Sequence, residues 1–317
     1  MGKWLITENG RLSMNSEKSI RKISLEGCPQ IGKGAHGSVY QLSDDSVVKV
    51  YFDNRSLDSI EKERLNGRSA FVSGISCPIT FDIVSTEKGY GIVLELAGNM
   101  PLGSYVQMHP EDLVEFAEKF ADIYIQMNTT HADVTQFSSA KEDYKKIIMR
   151  SSKYFRKKEI DILLEILDSI PDKYTFVHGD LHPQNVMIND KKELFLIDMA
   201  DLSYGSCIFD LGSSFLTMFF TPTMNKKNCI EISGMDADKT IFFWNTLIKK
   251  YNEHLNAEKN MDIEKICEIF GHFRTVYLLV ADDNHSWLFD KMRVMFVRSK
   301  VIKNKNEIIR YFKSLQI

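Results

Sequence analysis

Short apolar runs separated by turn residues dominate the chain from about residue 20 to 98. SDDS and STEKG have the composition of hairpin turns between neighbouring runs. Between the third and fourth runs, SLDSIEKERLNGRSAFVSG has helical character. The pattern predicts a five-stranded antiparallel sheet crossed by one helix, with strands in RKISLEG, SVYQLS, VVKVYF, PITFDIV and GYGIVLEL.

Helical periodicity replaces this pattern after about residue 103. His109-Pro110-Glu111-Asp112 has the composition of a helix start, and LVEFAEKFADIYIQMN follows with apolar residues at helical spacing. The same test predicts further helices at about 139–170, 207–220, 237–256, 261–281 and 287–315. The chain is therefore predicted to be an α+β protein with a small β-rich lobe, a hinge near 95–103 and a larger helical lobe.

Composition indicates which binding partners and which cellular compartment to expect. The chain has 317 residues, a formal net charge of -3 and five cysteines without a CxxC pair. These values give no global attraction to nucleic acid or to an anionic membrane, and scattered cysteines fit reduced thiols. The longest apolar stretch is too short to span a bilayer. We expect a cytoplasmic protein with neither a nucleic-acid nor a membrane partner, and its oligomeric state is open.

A glycine-rich segment, IGKGAHGSVY, places Gly32, Gly34 and Gly37 at the spacing G-x-G-x-x-G and ends near Val39. Glycines let backbone N–H groups approach a phosphate closely. A dinucleotide-binding loop would be followed by a helix, whereas here a strand follows. The pattern favours a β-hairpin flap over phosphates, with an ordinary glycine-rich turn as the alternative.

Lys49 stands in the apolar strand VVKVYF, one strand after the glycine loop. From there a lysine could reach nucleotide phosphates, although a lysine extending from an edge strand is the alternative. A lysine in that role needs an acid to hold it. Glu61 and Glu63 in the following helix are the candidates, and Glu63 fits the expected spacing better.

The third group of polar residues lies in FVHGDLHPQNVMINDKKELFLIDMAD. Asp180 could orient or deprotonate an attacking hydroxyl, while Asn185 and Asp198 carry the oxygen ligands that Mg²⁺ prefers. VMIN and ELFLID, separated by DKK, are expected to form a hairpin that brings the two ligands together. An ordinary polar hairpin would have to produce this set of residues by chance.

Taken together, these motifs resemble the protein-kinase-like fold, and within it the branch of aminoglycoside phosphotransferases and choline kinases. HGDLHPQN is similar to that branch's catalytic loop, and LIDMAD stands where protein kinases carry Asp-Phe-Gly. FDLG matches the branch's helix-starting aspartate, Asp210, which the resemblance implies is structural and supports the catalytic loop. The resemblance further implies that Glu95 and Ala97 contact adenine through their backbone.

By the same resemblance, residues 1–98 form a nucleotide-binding lobe, and residues 99–317 carry the catalytic loop and an acceptor pocket. The expected reaction moves the γ-phosphoryl group of ATP or GTP, with Mg²⁺, to a hydroxyl of a small molecule. A protein serine/threonine kinase-like enzyme and a nucleotide-binding regulatory module are the alternatives. Asp282 and Asp283 could form an acidic spot for an amine-bearing acceptor, and the role of Asp201 is open.

Overall fold

The computed structural model describes residues 20–34, 36–52, 55–255, 263–281 and 286–315, together with two short strands at 4–6 and 12–14. The chain divides into two compact units. The first comprises Met1–Arg64 and Thr80–Glu95, and the second comprises Leu65–Ile79 and Leu96–Ile317. None of the helices in the described part of the chain is both long and apolar enough to cross a membrane.

The first unit is built on a six-stranded sheet with the order β3-β7-β8-β6-β5-β4, and β1 pairs with β2 separately. The strands are β1 (Trp4–Ile6), β2 (Leu12–Met14), β3 (Arg21–Lys22), β4 (Gln30–Lys33), β5 (Gly37–Gln41), β6 (Ser46–Tyr51), β7 (Thr80–Thr86) and β8 (Gly89–Glu95). Helix α1 (Leu57–Val72) begins in this unit and ends in the second.

The prediction of five strictly antiparallel strands is wrong in two details. β4, at the start of the glycine-rich segment, is a sixth strand that pairs with β5. Its glycine at Gly32 interrupts the alternation of side chains that would identify a strand. The first predicted strand contributes only β3, which pairs in parallel with β7. The other pairings in the sheet are antiparallel.

Alternation along β6 gives the sheet two apolar faces. Val48 and Val50 are buried in one cluster with Tyr40 and Val93. The opposite face places Tyr51 against Ile60 of α1 and Ile92 of β8. Lys49, two residues before Tyr51, projects on this helix-covered face.

The second unit contains most of the helices and two small sheets, one of β9, β11 and β12 and the other of β10 and β13. Its strands are β9 (Met100–Pro101), β10 (Thr175–Val177), β11 (Val186–Ile188), β12 (Leu194–Leu196) and β13 (Ser203–Gly205). Its helices are α2 (Leu102–Met108), α3 (Leu113–Thr129), α4 (Ala140–Met149), α5 (Lys157–Asp168), α6 (Ile208–Phe215), α7 (Thr221–Met224), α8 (Cys229–Ser233), α9 (Ala237–Leu255), α10 (Ile263–Ala281), α11 (Trp287–Phe296) and α12 (Lys305–Ser314).

The α+β class, with an antiparallel sheet first and a largely helical part after it, is confirmed. Two long predicted helices are interrupted. The segment at 139–170 is α4 and α5, because the polar stretch around Ser151 forms a 3-10 turn there. The segment at 287–315 is α11 and α12, joined through a π-helical turn at Val297–Val301. A second π-helical turn, Leu216–Phe220, extends α6.

Two hydrophobic clusters form the core of the second unit. One is centred on α3 and α9, and the other on α4, α5 and α10. Phe176 belongs to the first cluster and its neighbour Val177 to the second. Strand β10, which leads into HGDLHPQN, therefore lies where the two clusters meet.

Helices α6 and α10 approach each other through two glycines. A Cβ added at Gly212 would lie 2.5 Å from the ring of Phe270, and one at Gly271 would overlap the ring of Phe215. Real Cβ contacts are longer than this, so a larger residue at either position would push the helices apart. The close crossing places Asp210 of α6 and Arg274 of α10 near the start of the HGDLHPQN segment.

Candidate functional site

The glycine-rich segment forms the β4–β5 hairpin. The N–H of Gly34 donates to the carbonyl of Gly37, with a donor–acceptor distance of 2.9 Å, which closes the turn. A Cβ at Gly37 would overlap the backbone carbonyl of Val50 on β6, so the close strand approach needs glycine at that position. Val39 lies directly opposite Lys49 across the β5–β6 pair.

Lys49 forms a buried ion pair with Glu63. The Lys49 Nζ and Glu63 Oε1 atoms are 2.7 Å apart, and the two side chains are only 15% and 7% exposed. The other acid considered from the sequence, Glu61, instead accepts hydrogen bonds from Arg64. The structure therefore brings Lys49 together with Glu63 and directs Glu61 to a different partner.

The two residues predicted to contact adenine fall on either side of the unit boundary. Glu95 is the last residue of β8 and lies opposite Ser46 of β6. Ala97 is buried and belongs to the second unit. Contact of their backbone with adenine stays a prediction.

The catalytic-loop segment starts directly after β10 and is held by the buried carboxylate of Asp210. Asp210 Oδ2 accepts from the His178 N–H at 2.9 Å, and Asp210 Oδ1 accepts from the Gly179 N–H at 2.7 Å. Asn128 Nδ2 also donates to Asp210 Oδ2, at 2.8 Å. Burial raises the pKa of the Asp210 carboxyl, and these donors oppose that shift by favouring the charged form. Asp210 thus holds the start of the HGDLHPQN segment, and the catalytic role of that segment stays a prediction.

His178 is fully buried, and its imidazole links the loop to the segment before Asp198. Its Nε2 lies 2.9 Å from the carbonyl of Ile197, which can only accept, so this nitrogen carries the proton. The other ring nitrogen, Nδ1, accepts from the Asp180 N–H at 3.4 Å. Both ring nitrogens therefore have partners within the loop and the neighbouring hairpin, so His178 holds the backbone on either side of Gly179.

Asp180 presents a charged carboxylate. Its side chain is 49% exposed, and His182 Nε2 lies 3.6 Å from Asp180 Oδ2. Burial alone would raise the pKa of Asp180, but the nearby His182 imidazole and the positive charge of Arg274 outweigh it and lower the pKa to about 2. The group is therefore ionised throughout the neutral range.

Asn185 and Asp198 lie at the same end of the β11–β12 hairpin. Val186 pairs with Leu196, and the Ile197 N–H donates to the Asn185 carbonyl at 3.0 Å. Asn185 Nδ2 donates to the backbone carbonyl of Asp180 at 2.8 Å, so the amide oxygen is the end of that side chain left to bind a ligand.

Asp198 has a left-handed backbone, with φ of 64°, which is uncommon for a residue other than glycine and is found at functional sites. The donor chemistry of Asn185 and Asp198, a neutral amide oxygen and a carboxylate, suits Mg²⁺. No group of three or more His, Cys, Asp or Glu side chains among the described residues could hold a metal ion. Asp201 is exposed, three residues further on, and Asp282 and Asp283 lie outside the described residues.

Sequence reasoning missed the buried polar side chains that support this site. Asn66 Nδ2 donates to the carbonyls of Met199 and Leu202, which fixes the segment after Asp198. Arg274 Nη2 donates to the Gly179 carbonyl at 3.0 Å. The signal available in the sequence is an isolated polar residue in an apolar helix, as in GHFRTVYL, but it does not identify the partner.

Comparison with known protein families agrees with this geometry. A model of the phosphotransferase enzyme family, APH, matches residues 27–226, which include the glycine loop, Lys49, Asp180 and Asp198. Comparison with curated protein sequences gives no match.

Solved structures with the same fold include several aminoglycoside phosphotransferases. APH(4)-Ia has a TM-score of 0.56 and 13% identity over 90% of this chain and 93% of its own. The ADP-bound APH(2'')-Ib has a TM-score of 0.53 and 14% identity, covering 91% and 96%. The streptomycin–ATP ternary complex of APH(2")-IIa has a TM-score of 0.53 and 15% identity, covering 89% and 93%. The resemblance to these phosphotransferases is confirmed at the level of the fold.

Proposed function

Because the chain belongs to the phosphotransferase enzyme family, we propose that it transfers the γ-phosphoryl group of ATP or GTP to a hydroxyl of a small molecule, with Mg²⁺ as its metal cofactor. Relatives of the same fold support this choice of substrates. One was solved with ATP and streptomycin, and another with ADP and hygromycin B.

The observation that carries the proposal is the direct link between Asp180 and the hairpin. Asn185 donates to the carbonyl of Asp180, and its own carbonyl accepts from Ile197, the residue before Asp198. A carboxylate for the acceptor and two oxygen ligands for a metal are thereby connected through a few hydrogen bonds. Such preorganisation is what phosphoryl transfer requires, because its catalysis rests on positioning and charge.

In the proposed reaction, the acceptor hydroxyl oxygen bonds to the γ-phosphorus while the bond to the bridging oxygen breaks. The nucleoside diphosphate leaves, and the hydroxyl proton is released. Asp180, with a pKa of about 2, is a weak base, so its role is to accept a hydrogen bond from the hydroxyl and orient it. A loose transition state places little demand on a base before the bond to phosphorus forms.

Asn185 and Asp198 would hold the metal through an amide oxygen and a carboxylate, the ligand types that Mg²⁺ prefers. Bound there, Mg²⁺ would supply charge neutralisation to the transferring phosphate. Lys49, positioned by Glu63, would contact phosphate oxygens. The remaining proposed nucleotide contacts are Gly32, Gly34, Gly37, Val39, Glu95 and Ala97.

A small acceptor is favoured over a peptide by the chain between Asp198 and Asp210. After a 3-10 turn at Met199–Asp201, this segment forms β13, which pairs with β10, and then enters α6. Ser203, Ser206 and Cys207 are buried. Most of the segment is therefore packed in the core, and it offers little surface on which an extended peptide could lie.

The test combines purified protein, Mg²⁺, labelled ATP or GTP and a cell extract separated by size, followed by a panel of hydroxylated metabolites and antibiotics. We expect label in the small-molecule fraction. Label found only on Ser, Thr or Tyr of other proteins would favour the protein-kinase alternative. Nucleotide binding without any turnover would favour the regulatory alternative.

Two substitutions assign the roles within the site. Asp180→Asn should lower turnover by about 10²-fold or more with nucleotide affinity nearly unchanged. Asp198→Ala should also weaken Mg²⁺-dependent nucleotide binding, measured by calorimetry with and without chelator. Asp190→Asn, at the exposed turn of the same hairpin, is the control and should change neither quantity.

A further inference from the structure

Arg274 is a buried arginine whose side chain ends at the catalytic loop. It is only 6% exposed. Nη1 donates to Tyr144 Oη at 3.1 Å, Nη2 donates to the Gly179 carbonyl at 3.0 Å, and the guanidinium lies 4.0 Å from the centre of the Tyr277 ring. A charged group is costly to bury, so such a residue needs an explanation.

No close ion pair with a carboxylate is formed by Arg274 among the described residues, and its interaction with the charge of Asp180 acts at longer range. Within the described part of the chain, its hydrogen-bond acceptors are a phenol oxygen and a peptide carbonyl, and neither is a carboxylate. The two tyrosine rings provide cation–π contacts and exclude water. Its direct contact with the loop is the hydrogen bond to one peptide carbonyl, and its charge also favours the ionised form of Asp180.

That carbonyl belongs to the peptide bond that joins Gly179 to Asp180. Gly179 has φ of 88°, a conformation that only glycine adopts readily, and its own N–H is held by Asp210. Glycine rotates freely unless its neighbouring peptides are anchored. Asp210 anchors the peptide before Gly179 and Arg274 anchors the peptide after it, so the backbone direction at Asp180 is set from both sides.

We propose that Arg274 is a positioning residue for phosphoryl transfer, which holds the Gly179–Asp180 peptide so that the Asp180 carboxylate meets the acceptor hydroxyl. The inference rests on the function proposed above. Gly212 and Gly271 let α6 and α10 pack closely. This close packing lets Asp210 on α6 and Arg274 on α10 both reach the Gly179 backbone.

The test compares Arg274→Met and Arg274→Lys with Arg298→Met as a matched control. Arg298 is exposed and pairs with Glu159 on the surface of the same unit. Arg274→Met should lower kcat by about 10²-fold, the scale expected for a misplacement of about 1 Å, with nucleotide affinity within twofold of wild type. Arg274→Lys should recover part of kcat, because its ammonium can still donate to the Gly179 carbonyl.

A second readout does not depend on turnover. Amide hydrogen exchange at Gly179 and Asp180 should be at least tenfold faster in Arg274→Met than in Arg298→Met. Slow exchange at these amides in a folded Arg274→Met protein, or a kcat equal to that of the control, would overturn the inference. Absence of turnover in wild type would instead reject the proposed function, and the exchange measurement would still decide whether Arg274 holds the loop.

Discussion

Replacing Asp210 by asparagine should destabilise the second unit although the two side chains have nearly the same shape. The carboxylate has two acceptor oxygens, which bind the N–H groups of His178 and Gly179 and the amide of Asn128. An asparagine has one acceptor oxygen and adds two donors. Whichever way it is oriented, one of the backbone N–H groups then faces an NH₂ group.

Asn128 cannot resolve this conflict by turning its amide over. Its Nδ2 also donates to the Phe176 carbonyl, and its Oδ1 accepts from Tyr251 Oη at 2.7 Å. A flip would break both bonds. In the better orientation the Gly179 N–H loses its acceptor and the new NH₂ group has none. Two buried donor groups are then unsatisfied, and at about 1–3 kcal/mol for each the free energy of unfolding should fall by about 2–6 kcal/mol.

The assay is differential scanning calorimetry, which measures the midpoint of thermal unfolding. For a unit of this size about 1 kcal/mol corresponds to a shift of about 2–4 °C, so Asp210→Asn should lower the midpoint by at least about 4 °C. Asp238→Asn is the control, because the Asp238 side chain is 89% exposed. If Asp210→Asn unfolded at the same temperature as Asp238→Asn, the argument from hydrogen-bond geometry would be refuted.

Three further predictions concern individual side chains. Glu63→Gln should weaken nucleotide binding in calorimetry by about tenfold, equivalent to about 1.4 kcal/mol, because Glu63 forms the ion pair with Lys49. Glu61→Gln should have a smaller effect, because Glu61 accepts hydrogen bonds from Arg64. Burial raises the pKa of the Cys207 thiol to about 11, so peptide mapping after iodoacetamide treatment of the native protein at pH 8 should find Cys207 unmodified. The folded-state pKa of Asp180 is lowered to about 2, so its ionisation stabilises the fold above the unfolded-state pKa of about 3.9 and this contribution is lost as the pH falls. The difference in thermal midpoint between wild type and Asp180→Asn should accordingly shrink from pH 5 to pH 3.

Each of these expectations has an opposite outcome that can be observed. Equal nucleotide affinity in the Glu63→Gln and Glu61→Gln variants would show that the Glu63–Lys49 ion pair does not contribute to nucleotide binding. Rapid alkylation of Cys207 in the folded protein would contradict its burial. A midpoint difference that grows towards pH 3 would mean that the pKa of Asp180 is raised by folding, which is the reverse of the expected sign.

The parts of the fold that the sequence predicts are those with local signals. VVKVYF is an apolar run interrupted only by Lys49, and all but its last residue lie in β6. The DKK turn between VMIN and ELFLID forms the β11–β12 hairpin. The pairing of Lys49 with Glu63 follows from the strand and the helix being adjacent along the chain. Local patterns therefore account for the four central strands of the sheet, the hairpin and most helix positions.

Contacts between distant segments could not be read in this way. Arg274 lies 95 residues beyond Gly179, and Asn128 lies 82 residues before Asp210. A polar residue in an apolar helix reveals that it is buried with a partner, but many partners satisfy the same hydrogen-bonding need. The glycines at which α6 and α10 cross also give no usable signal in the sequence. A glycine within a helix is more often interpreted as a residue that destabilises the helix.

The position of β10 between the two hydrophobic clusters has a consequence for the order in which the protein folds. Phe176 and Val177 are neighbours in the chain but pack into different clusters, so condensation of either cluster alone leaves the strand only half anchored. The loop that follows can adopt its functional backbone only after both clusters have formed, and both depend on contacts that are distant along the chain. We therefore expect the loop to reach its final backbone late in folding, after any compact intermediate in which only one cluster has formed.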